Sequence, residues 1–203
     1  MVNKIRCVIA SITLAGATMW CMAAEDSFRA KAASEYAHQT SDKVTVGAKA
    51  FDNEELTVEA FGKKADLLKY GVLPVLVVVE NKRDKALDLQ NLQVELVAAD
   101  GRHVNAVSPE DVTYLGTEGK KHPSVKPTPL PVPLPKKKNP LSSPELLTRA
   151  FSAKMLAPGD TASGFFYFEA KPETGDSIYL NGMHDARTGQ EVMYFEFPFQ
   201  KPQ

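Results

Sequence analysis

VLPVLVVVENK, residues 72–82, is an unbroken apolar run rich in β-branched side chains that ends at an asparagine turn. A half-buried strand alternates apolar and polar residues, so a continuous run predicts a strand that is covered on both of its faces. Pro74 lacks a backbone donor and therefore places the start of this strand at a sheet margin or a bulge. The run makes a mainly β fold the starting expectation.

The segments on either side of this run predict further strands. Residues 44–50 and 56–60 each alternate apolar and polar side chains, which predicts a hairpin with one wet face across the turn between them. Residues 87–98 also alternate, but their phase slips by one residue near Gln90, which predicts a β-bulge there. The dipeptide Asp100-Gly101 predicts a tight turn.

Three more strands and one helix are predicted in the last third of the chain. The strand signals cover residues 161–170, 177–182 and 190–199. Gly164 lies inside the first of these, which indicates a bulge or a close backbone contact. Residues 142–155 combine capping-box spacing with an apolar stripe of helical period, and this combination predicts a helix.

Residues 117–144 interrupt the strand pattern with eight of the chain's fourteen prolines and six lysines. Proline fixes φ and lacks a donor, so we expect this stretch to run as exposed polyproline II outside any sheet. The prolines from Pro127 to Pro135 recur at every second residue and form no P-x-x-P pair among themselves. We interpret the segment as a stiff, solvated loop, with recognition of an acidic partner or cell-wall polymer as its functional alternative.

The first 24 residues carry the pattern of a secretory signal peptide. Lys4 and Arg6 precede an uncharged stretch that runs to residue 24, which is the order of a basic n-region and an apolar h-region. Cleavage after residue 23 or 24 is the favoured interpretation. A lipidated Cys21 and an uncleaved membrane anchor are the alternatives.

Cleavage would leave 22 basic and 25 acidic residues and no cysteine, since Cys7 and Cys21 both lie in the removed segment. A charge so close to neutral gives no support to nucleic-acid binding or to general attraction by an anionic membrane. An exported domain without disulfides must be held together by its hydrophobic core. The polar, alanine-rich residues 25–42 are expected to form a flexible N-terminal arm, with a short helix on the spacing of Phe28, Ala32 and Tyr36 as the alternative.

The order of these pieces resembles the small exported immunoglobulin-like domains of unknown function. The resemblance is carried by VLVVVENKRDKALDL, VELVAADG, LAPGDTASGFFYFEA and LNGMHDARTGQEVMYFEF, which span roughly residues 44–199 around the proline-lysine insertion. It implies an immunoglobulin-like β-sandwich. The family carries no catalytic residues that could be transferred to this chain.

The sharpest candidate for chemistry is GMHDARTG, residues 182–189. His184, Asp185 and Arg187 cluster there and offer ligands for a metal or an anion, although polar residues also build ordinary hairpin turns. No G-x-S-x-G occurs, and His38, His103, His122 and His184 form no H-x-H or H-x-x-x-H pair.

Two other groups of side chains suggest sites less specifically. Asp52, Glu54 and Glu55 suggest calcium, but the alternating oxygen ligands of a calcium loop are missing. The aromatic residues of 165–168 and 194–199 suggest either the floor of a carbohydrate groove or, as we favour, the core of a sandwich. No residue is assigned as catalytic, cofactor-binding or metal-binding, and we expect no cofactor.

We therefore expect a mainly β chain, an immunoglobulin-like antiparallel β-sandwich of about seven to nine strands with one short helix and a long Pro/Lys-rich loop. The expected division is a signal peptide at 1–24, a flexible arm at 25–42, a sandwich domain at 43–199 that contains the 117–144 loop, and a tail at 200–203.

The expected function is that of an exported, non-enzymatic binding or structural module of the cell envelope, periplasmic or extracellular. Its expected partner is an envelope protein or a cell-wall polymer, recognised through loops or a strand edge, with no nucleic acid. Membrane contact is expected only if the signal segment stays uncleaved, and the oligomeric state is left open. The alternative is a secreted hydrolase or a metal- or ligand-binding protein with a site near His184 and Asp185. A subunit that completes a partner's sheet is a third interpretation, and it requires an uncovered strand edge.

Overall fold

The computed structural model describes residues 28–63, 65, 67–115, 141, 143–171, 173, 175–192 and 194–199. The predicted signal peptide, the tail at 200–203 and most of the 117–144 loop lie outside these residues.

The described chain is mainly β, with antiparallel sheets and few helices. Its strands are β1 (Ala37–Ser41), β2 (Val44–Ala50), β3 (Val72–Asn81), β4 (Leu87–Asp88), β5 (Gln93–Val97), β6 (His103–Asn105), β7 (Met155–Leu156), β8 (Thr161–Glu169), β9 (Ser177–Asn181), β10 (His184–Asp185) and β11 (Phe195–Pro198). The helical elements are α1 (Glu54–Phe61), α2 (Pro144–Thr148) and 3₁₀-helices at Ala33–Glu35, Leu68–Tyr70 and Asp111–Tyr114.

The strands form three antiparallel sheets. Sheet I has the order β1-β2-β3-β8, sheet II has the order β11-β9-β5-β6, and the small sheet III has the order β10-β4-β7. Strand β3 lies in the middle of sheet I, where Val77 is opposite Ala48 of β2 and Gly164 of β8.

Strand β3 is covered on both faces, as its unbroken apolar run predicted. Leu73, Val75, Val77 and Val79 point to one face and belong to a buried cluster that also contains Leu96, Ile178, Phe195 and other side chains of sheet II. The opposite face carries Leu76 and Val78, which pack into a second cluster with Ala60 and Phe61 of α1, Leu146 of α2 and Ala33. Sheet I therefore lies between sheet II and a layer of helices and loops.

Pro74 occupies the sheet margin that the sequence indicated. Strand β2 ends opposite Val75, and the Pro74 carbonyl accepts a hydrogen bond from Phe51 N at 2.9 Å, just beyond the last β2–β3 pair. The N and O of one strand residue face the same side, so the missing amide of Pro74 also lies beyond the end of β2.

The segment before β2 is not the flexible arm that the sequence analysis expected. Residues 37–41 form β1, and a two-residue turn joins it to β2 through Asp42 and Lys43, which have φ angles of 44° and 61°. Two positive φ angles are the mark of a type I′ hairpin. Ala33 packs directly on β2, because a Cβ added to Gly47 would lie 2.5 Å from Ala33 O. The strand was missed because β1 is polar and exposed, and it is held mainly by pairing with β2.

Residues 56–60 form part of helix α1 rather than the predicted second strand of a hairpin. Asn53 caps this helix, since its Oδ1 accepts a hydrogen bond from Leu56 N at 2.9 Å. The buried side chains are Thr57, Ala60 and Phe61, the i, i+3 and i+4 spacing of one helical face. The alternation of apolar and polar residues over 56–60 is too short to distinguish the two-residue period of a strand from the 3.6-residue period of a helix.

Two further expectations are corrected in the same way. The phase slip near Gln90 is not a bulge but a turn between β4 and β5, closed by a hydrogen bond from Leu92 N to Leu89 O at 3.1 Å. The predicted helix at 142–155 is reduced to α2, because Arg149 O and Phe151 N bond to Phe165 of β8 and hold the following residues extended.

Gly164 makes the close backbone contact that the sequence predicted. A Cβ at this position would lie 2.4 Å from Phe151 Cα, so the segment after α2 packs on β8 without a side chain between them. The tight turn at Asp100-Gly101 is also confirmed, with Gly101 at a φ of 83° between β5 and β6.

The outer edges of the sheets are partly closed within the chain. The side-chain amide of Gln39 on β1 donates to Glu196 O at 2.6 Å and accepts from Glu196 N at 3.3 Å, so it binds the free edge of β11 as a peptide group would. Pro198, two residues further along that edge, has no amide to offer. On β8, Phe165 and Tyr167 bond to residues of the adjoining loops. Among the described residues, no further strand pairs with the outer edges of β1 and β6, so the third interpretation, a subunit that completes a partner's sheet, keeps two candidate edges.

Candidate functional site

Asp185, the sharpest sequence candidate, is a buried structural anchor. Its Oδ1 accepts hydrogen bonds from the backbone N of Arg187 and Thr188, both at 3.0 Å, and its Oδ2 lies 2.8 Å from Arg83 Nη2. The N–H of Thr188, and after it that of Arg187, lowers the pKa of Asp185 to about 2, although burial opposes this shift. The carboxylate thus ties the 185–188 turn to the loop after β3, and these contacts account for it without a metal or a substrate.

The three histidines that the structure describes do not gather into a site. His184 lies in β10 opposite Asp88 of β4, whereas His103 lies in sheet II with its Nδ1 2.7 Å from Glu95 Oε2. His38 Nδ1 is 3.0 Å from the carbonyl oxygen of Tyr36, and His122 lies outside the described residues. The part of the chain that the structure describes contains no group of three or more His, Cys, Asp or Glu side chains able to hold a metal ion.

The acidic residues after β2 begin a helix. Glu54 and Glu55 form the first turn of α1, where carboxylates interact favourably with the helix dipole. This position accounts for both without calcium. Asp52 precedes the helix cap and lines the cavity described below.

Most of the aromatic side chains belong to the core. Phe165, Tyr167, Phe168, Phe195 and Phe197 are buried, and the Tyr167 hydroxyl donates to Leu146 O at 2.8 Å. Burial raises the pKa of Tyr167 above its usual value. Tyr194 differs from these residues, with 56% of its surface exposed.

A cavity of about 360 Å³ opens where sheets I and II separate. The start of β1, the end of β2, the first turn of α1 and the end of β11 form its walls. Its apolar floor consists of Ala48, Ala50, Ile178 and Phe197. Both signs of charge lie at the rim, which carries Glu35, Lys49 and Asp52.

The lining of this cavity suits binding better than covalent catalysis. None of its described lining residues is a serine, threonine, cysteine or histidine, so the wall offers no hydroxyl or thiol nucleophile paired with a histidine base, and its carboxylates are Glu35 and Asp52. An apolar floor with a few charged groups at the rim is the usual make-up of a small-ligand or side-chain pocket. We treat this cavity as the candidate site.

No family model matches this chain, and no curated protein matches it. Among solved structures, a putative lipoprotein (ycdA) from Bacillus subtilis subsp. subtilis is similar over 80% of this chain, with a TM-score of 0.39 and 13% identity. The chain spans 38% of that protein. Among the described residues, no helix is long and apolar enough to cross a membrane.

Sequence reasoning missed the cavity and the surroundings of Tyr194. The cavity draws its walls and floor from several elements that are distant in sequence, and these lie together only after the sheets pair. Helix α1 and strand β1 were not predicted, so two of these walls had no sequence signal. Tyr194 was counted with the aromatic core, although the strict alternation of buried Phe195 and Phe197 with exposed Glu196 gives it the outward phase.

Proposed function

We propose that this chain is an exported, non-enzymatic binding module of the cell envelope, built on an immunoglobulin-like β-sandwich. In this proposal it recognises a protein or cell-wall partner at the cavity beside strands β1 and β11, with the Pro/Lys-rich loop as an additional contact. The observation that carries the proposal is the cavity itself, which has an apolar floor, a charged rim and no serine, threonine, cysteine or histidine in its described lining.

Two other observations support a binding role over a hydrolytic one. Asp185 is held by Arg83, Arg187 and Thr188, and His103 and His184 lie in different sheets. The export part of the proposal rests on the sequence of residues 1–24. Its direct check is cell fractionation with N-terminal sequencing. A chain found in the cytoplasm with its first 24 residues intact would contradict it.

The binding part is tested by filling the cavity. Ala50→Leu adds a branched side chain to the floor, whereas Ala186→Leu makes the same change at an exposed turn residue and serves as the control. The purified chains are compared as baits against an envelope extract, with far-UV circular dichroism to show that each is folded. We expect Ala50→Leu to lose a partner that the wild type and Ala186→Leu retain.

A deletion of residues 120–138 in the same assay tests the loop separately. Loss of the partner only in this deletion would move recognition to the loop and away from the cavity. Capture that is unchanged in both variants would contradict both proposed contacts.

A further inference from the structure

One face of sheet II is open to solvent. The inward side chains of β5, β9 and β11 are Val94, Leu96, Ile178, Leu180, Phe195 and Phe197, all in the core. The residues between them point outward, and the strand register places Asn105, Glu95, Tyr179 and Glu196 in one row across β6, β5, β9 and β11. This outer face is on the opposite side of sheet II from the cavity floor, so it is a separate surface.

Two tyrosines, the half-buried Tyr179 and the exposed Tyr194, form an aromatic pair on this face. The ring centroids of Tyr179 and Tyr194 are 5.3 Å apart with 32° between the ring planes. Tyr194 is 56% exposed, whereas the neighbouring aromatic residues Phe195 and Phe197 of β11 are buried. A solvated aromatic pair on a sheet offers a flat surface for proline rings or for a cation.

Two carboxylates flank Tyr179 across the strands. Glu95 Oε2 lies 2.7 Å from His103 Nδ1, and Glu196 Oε1 accepts a hydrogen bond from Ser177 Oγ at 3.0 Å. These contacts hold both side chains in place. Within the described residues, the other oxygen of each carboxylate has no hydrogen-bond partner, so both can accept from a ligand.

The strands of this face carry two carboxylates, and their one histidine, His103, already pairs with Glu95. Strands β5, β6, β9 and β11, which the structure describes in full, contain no lysine and no arginine. An acidic surface with an aromatic centre is complementary to a cationic partner.

We propose that the outer face of sheet II binds an extended, proline-containing polypeptide that carries lysines three residues apart. Prolines pack on Tyr179 and Tyr194, and two ammonium groups pair with Glu95 and Glu196. One strand separates the two glutamates, which places them about 10 Å apart at the usual strand spacing. Three residues of polyproline II rise about 9 Å, so a Lys-Pro-Pro-Lys spacing matches the two carboxylates.

The test uses labelled heptapeptides and fluorescence anisotropy with the purified exported chain. The probe is Lys-Pro-Pro-Lys-Pro-Pro-Lys, compared with a peptide of the same composition whose lysines are adjacent and with the Glu-Pro-Pro-Glu-Pro-Pro-Glu analogue. We expect the spaced lysine peptide to bind most tightly and the glutamate peptide not to bind.

Protein variants locate the site. Tyr194→Ala and Glu196→Gln should each weaken binding about fivefold, as expected for losing one proline–aromatic contact or one exposed ion pair. Tyr114→Ala replaces an exposed tyrosine elsewhere and Glu169→Gln an exposed glutamate at the end of β8, and neither should change the affinity. Circular dichroism checks the fold of each variant.

Three results would overturn the proposal. The first is equal affinity for the spaced and the adjacent lysine peptides, which would remove the geometric match. The second is unchanged binding by both Tyr194→Ala and Glu196→Gln. The third is displacement of the peptide by a neutral chito-oligosaccharide at similar concentration, which would assign the face to glycans. None of these outcomes depends on the cavity, so the proposed function stands or falls separately.

Discussion

Sheets I and II bury their faces differently. Sheet I is covered by sheet II on one side and by α1, α2 and the residues around Ala33 on the other, whereas sheet II leaves its outer face to solvent. The sequence reflects the difference, because β3 is an unbroken apolar run while β5 and β11 alternate buried and exposed residues. Sheet I therefore serves mainly for stability, and the open face of sheet II can be used for binding.

The largest expected effect tests whether both faces of sheet I are equally well packed. Leu73 faces sheet II and Leu76 faces the helical layer, and both are buried. Leu73→Ala and Leu76→Ala should each lower the free energy of unfolding by about 3 kcal/mol, the cost of deleting a fully packed leucine. Urea denaturation measures both.

Gln93→Ala on the open face of sheet II is the matched control and should change stability by less than about 0.5 kcal/mol. A loss of less than about 1 kcal/mol in the free energy of unfolding for Leu76→Ala alone would show that the helical layer is loosely packed. It would contradict the expectation that both faces of sheet I are equally well packed.

A smaller effect tests the close packing of residues 28–36 on sheet I. Gly47→Ala places a Cβ 2.5 Å from Ala33 O, so the segment must shift away from β2. We expect a loss of about 2 kcal/mol in the free energy of unfolding, typical of overpacking, and faster proteolysis near Ala33. Ser34→Ala, at an exposed neighbour, should leave both measurements unchanged. A Gly47→Ala protein as stable and as protease-resistant as the wild type would mean that this segment does not cover sheet I in solution.

The smallest expected effect concerns the carboxylate of Glu80, which binds the backbone of residues 28–36 at Ala33. Glu80 Oε1 accepts from Ala33 N at 2.8 Å, and hydrogen bonds from Lys82 and then from Ala33 lower the pKa of Glu80 below 4.5. A carboxyl group whose pKa is lowered by folding stabilises the protein at pH values above its ordinary pKa. This stabilisation is lost as the pH falls through the pKa of the folded state. Glu80→Gln should cost about 0.5 kcal/mol at neutral pH, since solvent screens the pair with Lys82.

The check on Glu80 is a series of urea denaturations from pH 7 to pH 3. The difference between the wild type and Glu80→Gln should shrink as the pH falls through this range, because protonated glutamic acid and glutamine are then alike in charge. A stability difference between the two proteins that grows as the pH falls would contradict this prediction, because it would mean that folding raises the pKa of Glu80.

The local features of this fold could be predicted, and the features that depend on distant partners could not. The covered strand β3, the Asp100-Gly101 turn and the contact at Gly164 each follow from a few adjacent residues. Strand β1 forms because it pairs with the edge of β2. Helix α1 was not predicted because the alternation of residues 56–60 is compatible with both a strand and a helix. The candidate cavity and the Tyr179–Tyr194 pair need the register of several strands, which a single sequence does not contain.

The β3–β8 ladder has a consequence for how fast this chain folds. It pairs Val72 with Glu169, whereas the β1–β2 hairpin pairs neighbours across two residues. Short hairpins form in microseconds, but pairings between distant segments slow folding because the chain must search for them. The cost of closing such a loop grows only with the logarithm of its length, so the residues between 117 and 144 add no more than about a few tenths of a kcal/mol. Evolution could therefore lengthen the chain at this place with little change in the equilibrium between folded and unfolded states.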